Sequence, residues 1–289
     1  MNLTIIPSRD DKSRAIFING HKILKVSSTK FLGVVIDEKL SWDPHIQYLR
    51  KKLRSITGAI RRIRNLIPGE HFMKLYSALF ESHLTYGISV WGSALKDQPS
   101  DKLFVTQKHC IRILFGNLDA YLDKHSTCAR ARPYPYQKLG ASFFEKEHTK
   151  PIFNRLKLLP VQNLYKYHCI TELFKIIKFR TPYSLYNKIE LSKRTSSSVI
   201  ILPKKSNTFL YKASSFWNDT HKRILNNTGD ILTTSLPMVK LRCKTTILEI
   251  QALNEKDHWT YHNFKLTSQS STTQVNVLHK PESAIIDVI

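Results

Sequence analysis

Negative charge is scarce in this chain: 22 acidic residues stand against 45 lysines and arginines, a formal net charge of +23. Such a surface points to a polyanionic partner, and nucleic acid is the commonest one. Cysteine is scarce too. Cys110, Cys128, Cys169 and Cys243 lie far apart with no Cys-x-x-Cys pair, so a structural zinc site lacks its ligand spacing and the thiols read as reduced. No apolar run approaches a membrane span, and the opening MNLTIIPSRDDKSR has no apolar signal core. The expectation is an intracellular protein, in nucleus or cytoplasm, with no membrane partner. There is no P-loop, no GxGxxG, no HExxH and no internal repeat. What remains is ordinary for a folded protein: 42% hydrophobic and 23% charged over 289 residues, room for two or three small domains.

The first forty residues read as strands. AIFI and HKILKV flank Asn19-Gly20, a hairpin signal because both central residues of a type I′ turn need positive φ. KFLGVVID follows as a short apolar run suited to a further strand, ending at the polar turn Asp37-Glu38-Lys39. At residue 43 the period becomes helical, with Asp43 as cap and Pro44 at the first helical position. Ile46, Leu49, Leu53, Ile56, Ile60 and Ile63 recur at steps of three and four and form one narrow stripe, and Pro68-Gly69 ends the element. A second helix is expected to bury Phe72, Leu75, Tyr76, Leu79 and Phe80, and a third, from about Asp101 to Phe115, to bury Leu103, Cys110, Ile111 and Leu114. Three such helices in succession suggest a small bundle. Residues 117–150, including CARARPYPYQKLG, read as irregular. A short helix over Pro151–Leu158 and a longer one over VQNLYKYHCITELFKIIKF follow. Residues 181–214 read as loops with short strands, Ser215–Leu225 and Met238–Leu253 as helices, and the last twenty or so residues as a disordered tail.

The strongest physical signal is the helix after Pro44. No acidic residue occurs between Pro44 and Gly69, and Lys51, Arg54, Gly58, Arg61 and Arg62 share the side away from the isoleucine stripe. A merely solvated face usually mixes signs to gain i,i+4 pairs. A face of one sign repels itself and calls for phosphates, and Gly58, without a Cβ, leaves room for a backbone to come close.

The segments KFLGVVIDEKLSW, HIQYLRKKLRSITGAIRRIRNLIP and LYSALFESHLTYGISVWG, followed in order by CIRILFG, AYLDKHSTCARARPYPYQKLG, EHTKPIF, LLPVQNLYKYHC and FWN, carry a resemblance. Over roughly residues 3–225 the chain resembles the downstream end of reverse transcriptases of non-LTR retrotransposons, the LINE-type elements of the broad jockey and CR1 kind. The resemblance implies that Phe31, Leu32 and Gly33 belong to the primer grip at the base of the palm. It implies that the following helices form the thumb, with Lys51, Arg54, Arg61 and Arg62 on the surface facing an RNA/DNA template–primer duplex. The implied fold is mainly α: a small N-terminal β-hairpin or strand piece, a helical thumb bundle and a mixed, mainly helical C-terminal region. The implied division is 1–40 as the end of a palm, 41–118 as thumb, 119–225 as a downstream helical region and 226–289 as a divergent C-terminal segment.

Nucleotidyl transfer in that family needs carboxylates that hold two metal ions about 4 Å apart. The family supplies them upstream of the primer grip, from an aromatic-x-Asp-Asp hairpin and an earlier strand. Asp10-Asp11 imitates the pair, but Ser8-Arg9 precedes it and the run SRDDKS reads as a surface turn. No catalytic residue, metal site or cofactor is therefore expected in this chain; Mg²⁺ would belong to a palm supplied from upstream. His125 with Cys128 lacks zinc-knuckle spacing, Cys110 reads as a core residue, and Trp42 and Trp91 read as core aromatics before base-stacking ones. The expected function is the template–primer-binding part of a truncated RNA-directed DNA polymerase. The alternative is a nucleic-acid-binding or protein-interaction protein domesticated from the element.

Overall fold

The computed structural model describes residues 16–19, 21–23, 26–95, 101–115, 149–192, 199–204, 208–225 and 234–268. Two antiparallel hairpins open it. β1 (Ile16–Ile18) pairs with β2 (His21–Ile23) through Asn19 at φ 49°, as the Asn-Gly dipeptide predicts. The second hairpin corrects the reading of KFLGVVID as a single strand. β3 (Ser28–Phe31) and β4 (Val34–Asp37) pair with Phe31 opposite Val34, and Leu32-Gly33 make the turn at φ 46° and 84°. Positive φ at both positions is the type I′ signature, which suits the twist of the strands. Leucine resists that region, so the turn is held from afar: the Tyr86 hydroxyl donates to the Leu32 carbonyl at 2.8 Å. A Cβ on Gly33 would stand 3.3 Å from the Tyr86 ring, so glycine serves both the φ and the close approach.

The predicted stripe folds α1 (Asp43–Ile63) onto the core. Leu49, Leu53 and Ile60 are buried and Ile46 and Ile56 pack beside them. The start differs from expectation: Trp42 is the cap residue, at φ 65°, and Asp43 lies inside the first turn ahead of Pro44. The carboxylate that organises this entry is Asp37 at the end of β4. It accepts from the Ser41 amide at 3.0 Å, the Ser41 hydroxyl at 2.9 Å and the Trp42 amide at 3.0 Å. Burial opposes ionisation of Asp37, but these bonds outweigh it and hold its carboxyl below the usual range. Asp37 thus ties the end of the hairpin to the residues that lead into α1.

A 3₁₀ turn (Arg64–Leu66) and Pro68 close that helix. The next helical segment changes pitch along its length: α2 (Phe72–Leu75), a π-helical stretch (Tyr76–Glu81) and α3 (Ser82–Thr85). Phe72, Tyr76 and Phe80 are buried as expected, whereas Leu79 is exposed, since the wider π turn carries it off the stripe. Gly87, at φ 62°, breaks the chain into α4 (Ile88–Trp91). α5 (Lys102–Phe115) begins at Asp101, whose Oδ1 accepts from the amides of Leu103 and Phe104 at 2.8 and 3.2 Å.

Farther on stand α6 (Lys150–Arg155), α7 (Val161–Phe179), α8 (Tyr183–Tyr186), α9 (Phe209–Ile224) and α10 (Leu236–Ser268). The stretch 181–214, expected as loops with short strands, has a bridge between Leu191 and Ile200 and, beyond that expectation, contains α8 and the first six residues of α9. Thr208 starts α9 ahead of the expected Ser215, its hydroxyl oxygen accepting from the Tyr211 amide at 3.3 Å. Residues 117–148 of the expected irregular stretch and the tail beyond Ser268 lie outside the described residues.

By internal contacts the chain divides into Met1–Leu248 and Glu249–Ile289. The second unit contains the continuation of α10 to Ser268. The first has a single core to which α1, α5, α7 and α9 all contribute. Its largest members, Trp91 and Trp217, are fully buried, and Trp217 stacks on Phe174 at 6.3 Å. Gln107, also fully buried, is its polar hub. Its Nε2 donates to the Tyr76 hydroxyl at 3.0 Å and the Leu159 carbonyl at 2.9 Å, and its Oε1 accepts from the Val161 amide at 2.9 Å. That last bond satisfies the first free amide of α7 from another helix. The fold is mainly α with a small N-terminal β piece, and none of the described helices is long and apolar enough to cross a membrane.

Candidate nucleic-acid interface

Lys51, Arg54, Arg61 and Arg62 are all exposed on α1, with Gly58 half-buried among them. At about 100° per residue they lie on the side opposite Leu49, Leu53 and Ile60. The only acidic residue of α1 is Asp43, in its first turn. No ion pair among the described residues engages these four cations. The structure therefore brings together on one rigid helix the four side chains expected to meet a duplex.

One flank of this face is α5, which packs along α1. Here the structure adds what the sequence reading left out. His109 stands close enough to feel Arg61 and Arg54 of α1 and Arg112 of its own helix. Desolvation first, and then those three charges, push its imidazole below the ordinary value. Lys108 is depressed likewise by desolvation and by Arg112. Cations from two helices thus converge. The signal was present in the sequence as the basic cluster KHCIR, hidden because only the buried side of that helix carried the periodicity.

The other flank meets the β3–β4 hairpin. Phe31 and Leu32 are exposed at its tip, at 41% and 74%, and Gly33 lines a cavity with Tyr48 and Lys52 of α1. The three residues that the resemblance assigns to a primer grip form a turn edge beside the basic helix. His45 fastens hairpin to helix. Its Nδ1 accepts from the Val35 amide at 3.3 Å, its ring lies 5.3 Å from that of Trp91, and burial lowers its proton affinity. Accepting at Nδ1 puts the proton of the neutral ring on Nε2.

The remaining candidates are structural or lie elsewhere. Trp91 is fully buried, with its indole N–H donating to the Tyr86 carbonyl at 2.9 Å, and Trp42 packs partly buried against the core. Cys110 is buried, and burial pushes its thiol up to about 12, which suits a core residue and not a nucleophile. Asp10-Asp11, His125 and Cys128 lie outside the described residues. Among the described residues no three His, Cys, Asp or Glu side chains are grouped to hold a metal ion.

Part of the chain is similar to the Retrovirus-related Pol polyprotein from type-1 retrotransposable element R1 of Bradysia coprophila. The two are 34% identical over 84 residues, which is 28% of this chain and 8% of that polyprotein. No family model matches the chain, and no solved structure matches it.

Proposed function

We propose that this chain is of retrotransposon origin and serves as the template–primer-binding, thumb-like part of a reverse transcriptase. The observation that carries the reading is the face of α1 on which Lys51, Arg54, Arg61 and Arg62 stand without acidic partners among the described residues, extended by His109 and Arg112 of α5. The partial likeness to a retrotransposon polyprotein supports the origin. The mechanism is electrostatic clamping: phosphates replace their condensed counterions with fixed ammonium and guanidinium groups, and the duplex is held without being read. In this reading the two-metal chemistry, and the Mg²⁺ it needs, belong to a palm segment upstream of the hairpin, and the chain alone does not extend a primer.

Fluorescence-anisotropy titration of an RNA–DNA hybrid at several salt concentrations tests the reading. Three or four phosphate contacts on this face give an expected log–log slope near −3, at about −0.9 per contact on duplex DNA. Replacing Arg54, Arg61 and Arg62 together with Gln keeps a good helix former at each position and should flatten that slope by roughly two to three units. A folded triple variant with the wild-type slope would falsify the clamp. Primer extension by the purified chain that disappears on Asp11→Asn would overturn the assignment of the chemistry to a separate palm.

A further inference from the structure

The cavity between the β3–β4 hairpin and α1 has a chemistry that backbone tracking alone does not require. It is a half-open cleft of about 320 Å³, at the lower end of the range of small-ligand sites, roughly 300–1,000 Å³. His45 and Leu49, 3% and 4% exposed, belong to its packed lining. Two ammonium groups, Lys30 and Lys52, line it, and among the described residues no carboxylate does. Lys30 is already positioned: its Nζ donates to the Tyr48 hydroxyl at 3.0 Å and sits 4.8 Å over that ring, which leaves further N–H donors for an incoming anion.

Another part of the lining is aromatic and fixed. Tyr86 is 56% exposed, yet its hydroxyl is tied to the Leu32 carbonyl and its ring lies over Gly33, where no side chain intervenes. Beside it, the Nδ1 of His83 is engaged with the Leu79 carbonyl at 2.9 Å, which keeps its Nε2 for another partner. Positioned cations together with a rigid, half-exposed ring match one ligand chemistry, a phosphate attached to a planar base. The site also continues the basic face, because Lys52 directly follows Lys51 and is turned from it by about 100°.

We propose that this cavity takes a single unstacked nucleotide of a nucleic-acid strand, its phosphate on Lys30 and Lys52 and its base against Tyr86. The proposal rests on the duplex-binding reading only for the source of that nucleotide. The test uses the full chain with two RNA–DNA hybrids, one blunt and one with a single unpaired nucleotide at its end, titrated by anisotropy at one salt concentration. The overhanging hybrid should bind roughly tenfold tighter, the worth of one base–aromatic stack. That advantage should be lost in the exposed-residue variant Lys30→Gln/Lys52→Gln, with its fold checked by circular dichroism, and in Tyr86→Leu. Equal affinity for the two hybrids in the wild type overturns the proposal, and so does an advantage that survives in the lysine variant.

Adenosine monophosphate at millimolar concentration should erase the advantage while inorganic phosphate at the same concentration leaves it. Phosphate acting equally well would mean an anion hole without base recognition and would overturn the nucleotide assignment. Binding of adenosine monophosphate, followed through the Gly33 amide resonance, is independent of duplex affinity. A chain that shifts with it yet ignores the blunt hybrid keeps the cavity and loses the clamp.

Discussion

α1 and α7 are similar in length, 21 and 19 residues, and use positive charge in opposite ways. α7 buries ten of its residues, against five in α1, so it is packed on most of its sides and its cations have protein around them. Lys175 pairs with Glu172 at 2.7 Å, Lys178 donates to the Thr234 carbonyl, and Lys166 lies 5.9 Å from the centre of the Phe216 ring. Among the described residues, Lys51, Arg54, Arg61 and Arg62 of α1 engage no such acidic partner, and the spacings Arg50–Arg54 and Lys51–Arg54 set like charges together. Each such pair costs an isolated helix about 0.2–0.5 kcal/mol. A scaffold helix absorbs its charge internally, whereas α1 keeps its own outward at some expense in stability. That contrast is the physical case for an external anion.

The contrast is broken most severely at the scaffold end. Gln107→Leu removes one donor group and one acceptor that serve Tyr76, Leu159 and Val161, and leaves those buried groups without partners. At about 1–3 kcal/mol for each orphaned group, with incomplete additivity, the variant should lose roughly 3–5 kcal/mol. That is a large share of the roughly 5–15 kcal/mol a domain possesses. Urea denaturation followed by circular dichroism measures it, with Arg54→Gln/Arg61→Gln/Arg62→Gln as the counterpart expected to stay within about 1 kcal/mol of wild type. If the two variants unfold at the same midpoint, the distinction between scaffold and interface fails.

The same contrast explains what was legible in the sequence. Elements with a local cause were: the stripe from Leu49 to Ile60, the start of α5 near Asp101, the Asn19 turn and the apolar run of α7. What was missed depends on partners far along the chain. The Leu32-Gly33 turn sits inside an apolar run and is secured by Tyr86, 54 residues away. The Gln107 hub joins residues separated by 31 to 54 positions. Asp37 acts where Asp43 was expected because Trp42 takes a positive φ that no local pattern announces. Of the candidate interface, the α1 face could be read because its residues share one helix. His109 and Arg112 could not be joined to it before the packing of α5 on α1 was known.

Histidines sharpen the comparison at a smaller scale. His45 is buried and desolvation lowers its proton affinity below the ordinary 6.5. Desolvation does the same to His168, with Glu172 opposing it. A depressed folded-state value means that the unfolded chain binds the proton more readily, so stability is full above about pH 6.5 and declines as pH falls below it. The slope is at most about 1.4 kcal/mol per pH unit for each such histidine. His45→Asn, whose side-chain oxygen can replace Nδ1 as acceptor for Val35, should flatten the pH dependence of the urea midpoint; an unchanged slope would show that His45 takes no part in it. His109 at the interface should respond with the opposite sign. A bound polyanion offsets Arg61, Arg112 and Arg54, so hybrid binding should tighten over the same falling pH range, and His109→Gln should remove that gain.

The smallest expected effect separates an interface from a merely solvated face. Gly58 lies in the second half of α1, among the cations, and a Cβ built on it meets nothing within 4 Å. Nothing inside the protein therefore requires glycine there, and Gly58→Ala should raise stability by about 0.5–1 kcal/mol. On a solvated face that gain has no counterpart, and hybrid affinity should stay at the wild-type value. Against a phosphate backbone the added methyl group occupies the gap between Arg54 and Arg61, and the duplex must stand slightly farther off. Affinity for the hybrid should then fall a few-fold. The salt slope should hold, since every cation remains and the number of released counterions does not change. A more stable chain with weaker binding and an unchanged slope can arise only if something outside the protein comes close to that helix. A more stable chain with equal binding would leave the glycine without a role and count against a duplex on this face of α1.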